Sequence, residues 1–155
     1  MSPGMSHLAV HHSRAAAAVA GVVGAFVRRI ADQTIQQITA TPVEFDTQDR
    51  DDAGFWGMAS PSRLTAPSDG WYVAAGGFMA DGIGGTAIRL YFRRGGVQDY
   101  QSDQAGENIY STVPKLNCAI TVWLAAGDYL ELMVWATGGP SDWDEWWCGI
   151  VRIGS

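Results

Sequence analysis

The chain has 155 residues, with 10 Lys and Arg against 16 Asp and Glu, a formal net charge of −6 and a pI near 4.8. That balance excludes a phosphate-tracking nucleic-acid binder, which needs clustered cations; only Arg28-Arg29 and Arg93-Arg94 form dense cationic pairs. Hydrophobic residues make up 47% of the chain, enough for one globular domain with a sizeable core, and no apolar run reaches the roughly 18–20 residues of a bilayer span.

Residues 1–22 stand apart in composition. They hold all three histidines, His7, His11 and His12, and an alanine run, but no aromatic residue. Ser13 would cap a short helix over residues 14–20, too short to stand alone in water. The apolar stretch 15–27 also fits a signal-peptide core, but the segment before it carries a single Arg and no Lys. The reading adopted is an N-terminal anchoring arm that buries His11, His12, Ala16, Val19 and Val22 against a partner, with residues 23–155 as the folded domain.

From there the hydrophobic period becomes two. Strands are expected over residues 23–30 and 39–46, with an acidic loop over 47–60 and a hairpin made by 62–66 and 70–79 around Pro67-Ser68-Asp69. In residues 86–93, Ile88, Leu90 and Phe92 share one face. Gly95-Gly96 then turns into a further strand over 97–101. A polar loop over 102–113 precedes a second hairpin, 115–124 with 128–137, and the chain closes with 146–153. About nine short strands and nineteen glycines, with no helix after the arm, point to an all-β, antiparallel two-sheet jelly-roll sandwich.

Two strands carry large residues on both faces. In 118–124 the even positions are core-like and Trp123 lies on the other side. In 129–135, Tyr129, Met133 and Trp135 oppose Leu130, Leu132 and Val134. A solvated strand face would be polar, so Trp123, Tyr129, Met133 and Trp135 are expected at a self-association interface. Scattered surface aromatics are the plainer alternative.

Several motifs occur in one order: AFVRR (25–29), PVEFDT (42–47), SRLTAPSDGWYV (62–73), IRLYFRRGG (88–96), LAAGDYLEL (124–132) and WCGIVRIG (147–154). This series resembles the globular head of the complement first component's q subcomponent and its bacterial and bacteriophage relatives, within the tumour-necrosis-factor-like jelly rolls. The resemblance spans about residues 24–154. It implies a ten-stranded jelly roll, a compact trimer, and first and last strands lying side by side. PSRLTAP with AGDYLEL looks most like versions carried on phage head or tail appendages. The tryptophan-rich SDWDEWW (141–147) and an arm without a collagen repeat depart from the pattern, so a complement-type role is not implied.

Catalytic chemistry finds little purchase. Nucleophilic sites need a base beside the nucleophile, and every His lies in residues 7–12. The acids Asp46, Asp49, Asp51 and Asp52, and again Asp142, Asp144 and Glu145, read as solvated loops before glycoside chemistry. Calcium suits DTQDRDDAG in oxygen count, yet an EF-hand register from Asp49 meets Ser60 where Glu belongs. The glycine-rich stretch 76–85 opens no helix and so is no phosphate cradle. Cys118 and Cys148 fit a disulfide or two buried thiols equally well. Trp143, Trp146 and Trp147 serve either as a lid over one sandwich end or as a platform for a glycan or partner protein. No catalytic residue, cofactor or metal is expected.

The expected role is a non-enzymatic bacteriophage virion protein, a homotrimer on the head or tail surface docked by its arm to the major capsid or tail protein. The alternative is a recognition module for a host-surface glycan or protein.

Overall fold

The computed structural model describes residues 22–79, 87–98, 104–106, 115–137, 141–143 and 145–155. Among these residues thirteen strands follow one another: β1 (Gly24–Arg29), β2 (Gln33–Ile35), β3 (Thr41–Pro42), β4 (Thr47–Asp51), β5 (Arg63–Thr65), β6 (Gly70–Met79), β7 (Ile88–Arg94), β8 (Val97–Gln98), β9 (Gln104–Gly106), β10 (Lys115–Leu124), β11 (Tyr129–Ala136), β12 (Ser141–Trp143) and β13 (Trp146–Gly154). One sheet runs β10-β6-β13-β1-β4. The other runs β3-β11-β7-β8, with β5 also on β11 and β9 on β7, while β12 and β2 form a small third ribbon. Among the described residues the pairings between these strands are all antiparallel, and β1 and β13, the first and last of them, lie side by side.

Alternation builds the core. Cys118, Ile120, Val122 and Leu124 of β10 point inward, as do Ile88, Leu90 and Phe92 of β7 and Leu130, Leu132 and Val134 of β11. The two sheets meet closely at Gly76, where a Cβ would come within 2.9 Å of a Leu132 methyl. Absence of a side chain on β6 therefore lets Leu132 of the opposite sheet seat itself fully. Gly95 and Gly96, both at positive φ, make the tight β7–β8 turn as expected.

Both expected aromatic-rich hairpins are instead corners between sheets. β5 pairs with β11, whereas β6 pairs with β10 and β13. Likewise β10 pairs with β6 while β11 pairs with β7. A short turn between two strands specifies a change of direction, and inter-sheet packing here decides that the chain also changes layer. The two corners hold each other. Ala66 N donates to Asp128 O and Gly127 N to Ala66 O, at 2.7 and 2.9 Å. Ala126 N donates to Asp69 Oδ1 at 2.8 Å, and the Tyr72 hydroxyl closes the turn by donating to Ser68 O at 2.6 Å.

The stretch expected as an acidic loop contains β4, which edges the five-stranded sheet beside β1. Its polar side chains disguise it because they face outward. The Arg28 guanidinium grips the Asp49 carboxylate with two bonds of 2.5 and 2.8 Å, and Arg50 grips Asp52 in the same way.

Candidate interface and end cavity

The outer face of the five-stranded sheet is assembled by strand register. Trp71 stands opposite Trp123, Val73 lies between Thr121 and Val151, Ala75 lies between Ala119 and Gly149, and Gly77 lies between Asn117 and Trp147. Beyond Gly149 the row continues to Phe26 of β1. Within this grid no side chain is charged; Arg28, Arg50 and Lys115 stand at its margin, and each arginine is neutralised by an aspartate. Small residues form the middle strip and aromatic pairs form the two ends. Phe26 stacks on Trp147 with centroids 6.3 Å apart, and Trp71 meets Trp123 edge to face at 5.9 Å. Trp71 is 47% and Trp123 42% exposed, a substantial apolar cost for an unpartnered surface.

The four residues expected at an interface therefore do not come together. Trp123 lies on this face, but Tyr129, Met133 and Trp135 belong to the six-stranded sheet. Met133 is 0% exposed, so it has no surface to offer. It sits opposite Tyr91 of β7 and Pro42 of β3, and both Met133 and Tyr91 are buried outside the main core, within the protomer's own structure. Tyr129 and Trp135 are half-buried, with the guanidinium groups of Arg63 and Arg89 over their rings at 4.2 and 5.9 Å. Glu131 on the same side is also buried, held by Arg93 at 2.6 Å and by the Ser62 hydroxyl at 2.9 Å. The residues missed were Trp71, Phe26, Val73 and Val151, because their membership depends on which strands are neighbours.

Among the arm residues, His11, His12, Ala16 and Val19 lie outside the described residues. Val22 is exposed, and its carbonyl accepts a bond from Arg50. The tryptophan cluster divides. Trp146 is 1% exposed and packs on Phe78 at 4.8 Å, which removes it as a contact residue. Its inward direction follows from the alternation of β13, which puts Trp146, Cys148 and Ile150 in the core. Trp147 is half-buried, and its indole lies over Gly77, where a Cβ would come within 2.9 Å of the ring. Trp143 stands in β12 opposite Gln33, and its side chain lies outside the described residues.

A cavity of about 510 Å³ opens at the end of this sheet where β1 and β6 finish and β10 and β13 begin. Trp147, Asn117 and Arg28 border it from the outer face, and Phe78 and Trp146 form its floor.

The acids considered for calcium are each engaged separately. Asp46 accepts from the Ile30 and Ala31 amides and the Thr47 hydroxyl, and Asp51 from the amides of Gly54, Phe55 and Trp56. Burial pushes the Asp46 carboxyl up, but those bonds and the nearby Arg29 charge outweigh it and leave its pKa below the ordinary value. Hydrogen bonding to Arg28 and to Arg50 similarly lowers Asp49 and Asp52. Among the described residues no His, Cys, Asp and Glu converge as a metal cluster.

Cys118 and Cys148 are separate thiols. Both register with Gly76, one from each side, so a whole strand runs between them. Two strand spacings place their Cα atoms about 10 Å apart, well beyond disulfide reach. Burial first, and the neighbouring Cys118 second, push the Cys148 pKa far up, so the thiol is inert.

No family model matches the chain, and no curated protein matches it in sequence. Solved structures do match. The globular domain of zebrafish complement 1qA aligns over 84% of this chain and 95% of its own, at 15% identity and a TM-score of 0.52. Eiger TNF from S. frugiperda aligns over 86% and 94%, at 14% identity and a TM-score of 0.53. Murine APRIL aligns over 85% and 99%, at 12% identity and a TM-score of 0.60. The fold is a jelly roll of the tumour-necrosis-factor and complement-head kind, as the motif series implied.

Proposed function

We propose that the protein is a non-enzymatic, homotrimeric structural component of a bacteriophage particle, displayed on the virion surface and docked through residues 1–22. The observation carrying the assembly is the outer face of the five-stranded sheet, whose central grid is uncharged. Its central strip of Ala75, Ala119, Gly149 and Gly77 allows close backbone approach, and the aromatic pairs at either end supply the apolar area to be buried. The resemblance to the complement-head jelly rolls favours three copies about one axis over two.

The virion role rests on PSRLTAP with AGDYLEL, which look most like phage-borne versions of this jelly roll. A non-enzymatic role is supported by the confinement of histidine to residues 7–12 and by the internal engagement of Asp46, Asp49, Asp51 and Asp52. Deleting residues 2–21 is expected to leave a trimer that no longer attaches to the major capsid or tail protein. Attachment retained by the truncated protein would contradict the docking role of the arm.

A further inference from the structure

We infer that the end of the sandwich at which the chain passes from residues 1–21 into β1 is itself a docking surface, for an apolar patch on the protein that receives those residues. It takes the arm-docking reading above as given and adds a preformed contact beside the arm. β1 and β6 start at this end and β10 and β13 finish there, so it lies opposite the cavity.

A connected line of exposed apolar side chains crosses it. Val22 stands beside Ile153, because Arg152 N donates to Val23 O at 2.9 Å. Gly154 registers with Trp71, and Trp71 meets Trp123 at 5.9 Å. From the other sheet Arg94 reaches Trp123 O at 3.3 Å, and Val97 is the strand partner of Arg94. Five of the nine exposed large hydrophobic residues among those described fall on this line.

The two tryptophans belong to the assembly face, but Val22, Val97 and Ile153 lie outside its grid, 49%, 72% and 57% exposed. Ile153 is the extra residue of a bulge between Arg152 and Gly154, which takes it out of the alternation that turns Val151 to that face. Val97 follows the Gly95-Gly96 turn on the other sheet. Closing the trimer therefore leaves these three side chains in water.

The surface is also shaped in advance. The two corners that build it are hydrogen-bonded to each other, so little order has to be gained on contact. The charged groups bordering the line are held by the protomer itself. Arg152 donates to Asp69 O at 2.8 Å, Asp128 accepts from Ala125 N at 3.0 Å, and Arg50 is paired with Asp52. An apolar occupant gains most there, because contact removes Val22, Val97 and Ile153 from water. The path of the chain names the occupant: Val22 stands in the line, so whatever holds the arm comes within a few residues of it.

The test measures attachment of the full-length protein to particles assembled without it. Val97→Asp and Ile153→Asp are each expected to weaken attachment about tenfold with the arm intact, while far-UV circular dichroism and trimer sedimentation match the parent. Ile38→Asp is the control. It puts the same charge on an exposed residue at the opposite end, beside Ala136 at the finish of β11, and should attach as the parent does. Parent-like attachment by both Val97→Asp and Ile153→Asp, with attachment lost on deleting residues 2–21, would overturn the end contact and leave the arm reading standing. Attachment kept by the deletion but weakened by Val97→Asp would do the reverse. Equal weakening by Ile38→Asp would overturn the end contact. So would a parent that sediments as paired trimers separated by the two variants, since that result assigns the end to a second copy.

Discussion

Trp71 and Trp123 face each other across β6 and β10, their rings edge to face at 5.9 Å, on a surface where water would otherwise meet both. Such a pair contributes about 0.5–1.5 kcal/mol beyond its buried area. If the outer face is an interface, the pair is worth more in assembly than in the protomer. Trp71→Ala and Trp123→Ala are each expected to leave far-UV circular dichroism unchanged while raising the dissociation constant of the oligomer at least tenfold. The double variant should fall short of the sum, measured as a coupling energy in a double-mutant cycle.

Gly76 is predicted to be intolerant of any side chain. An added Cβ meets both Leu132 methyls, at 2.9 and 3.0 Å, and the Trp147 carbonyl at 3.2 Å. Gly76→Ala should therefore destabilise the fold by about 1–3 kcal/mol in urea denaturation. An unchanged midpoint would show that the sheets are not in contact there.

The same residue keeps the cysteines apart. Under non-denaturing conditions neither Cys118 nor Cys148 is expected to react with a thiol reagent, and mild oxidant should not link them. Both should titrate once the chain is unfolded in guanidinium. A loss of two hydrogens by mass spectrometry of the native protein would contradict the register.

Asp46, Asp49 and Asp52 have pKa values depressed below the ordinary value of 3.8. Depressed carboxyls bind fewer protons in the folded state than in the unfolded one. Their contribution is fully present above pH 3.8 and is lost as pH falls through the lower folded values. Thermal unfolding midpoints should thus decline below about pH 4, and Asp46→Asn should flatten that decline while lowering stability at neutral pH.

How far the structure was legible depended on the range of the interactions involved. Ile88, Leu90 and Phe92, or Cys118 to Leu124, announce their inward faces by simple alternation, because burial on one side of a strand is a local pattern. The motif order likewise announced the jelly roll and the adjacency of first and last strands. The corner at Pro67–Asp69 was read as a hairpin because layer change is set by Leu64 pairing with Leu130, sixty-six residues away. Strand β4 was hidden because its side chains are polar and face outward, Asp49 pairing with Arg28 of β1 and Arg50 with the nearby Asp52. At the candidate interface, Trp123 was visible from its own strand. Met133 was misread because its burial comes from Tyr91 and the second sheet's own covering, and Trp146 because only the phase of β13 separates it from Trp147.

The central claim is that the outer face of the five-stranded sheet closes a trimer, and sedimentation equilibrium on the parent protein and on Ala119→Arg tests it most directly. Ala119 lies in the small-residue strip, exposed in the protomer, so the arginine leaves the fold intact. The account predicts three times the 16.6 kDa chain mass for the parent at micromolar concentration and a folded monomer for the variant. A monomeric parent, or a variant that still sediments as a trimer, would contradict it.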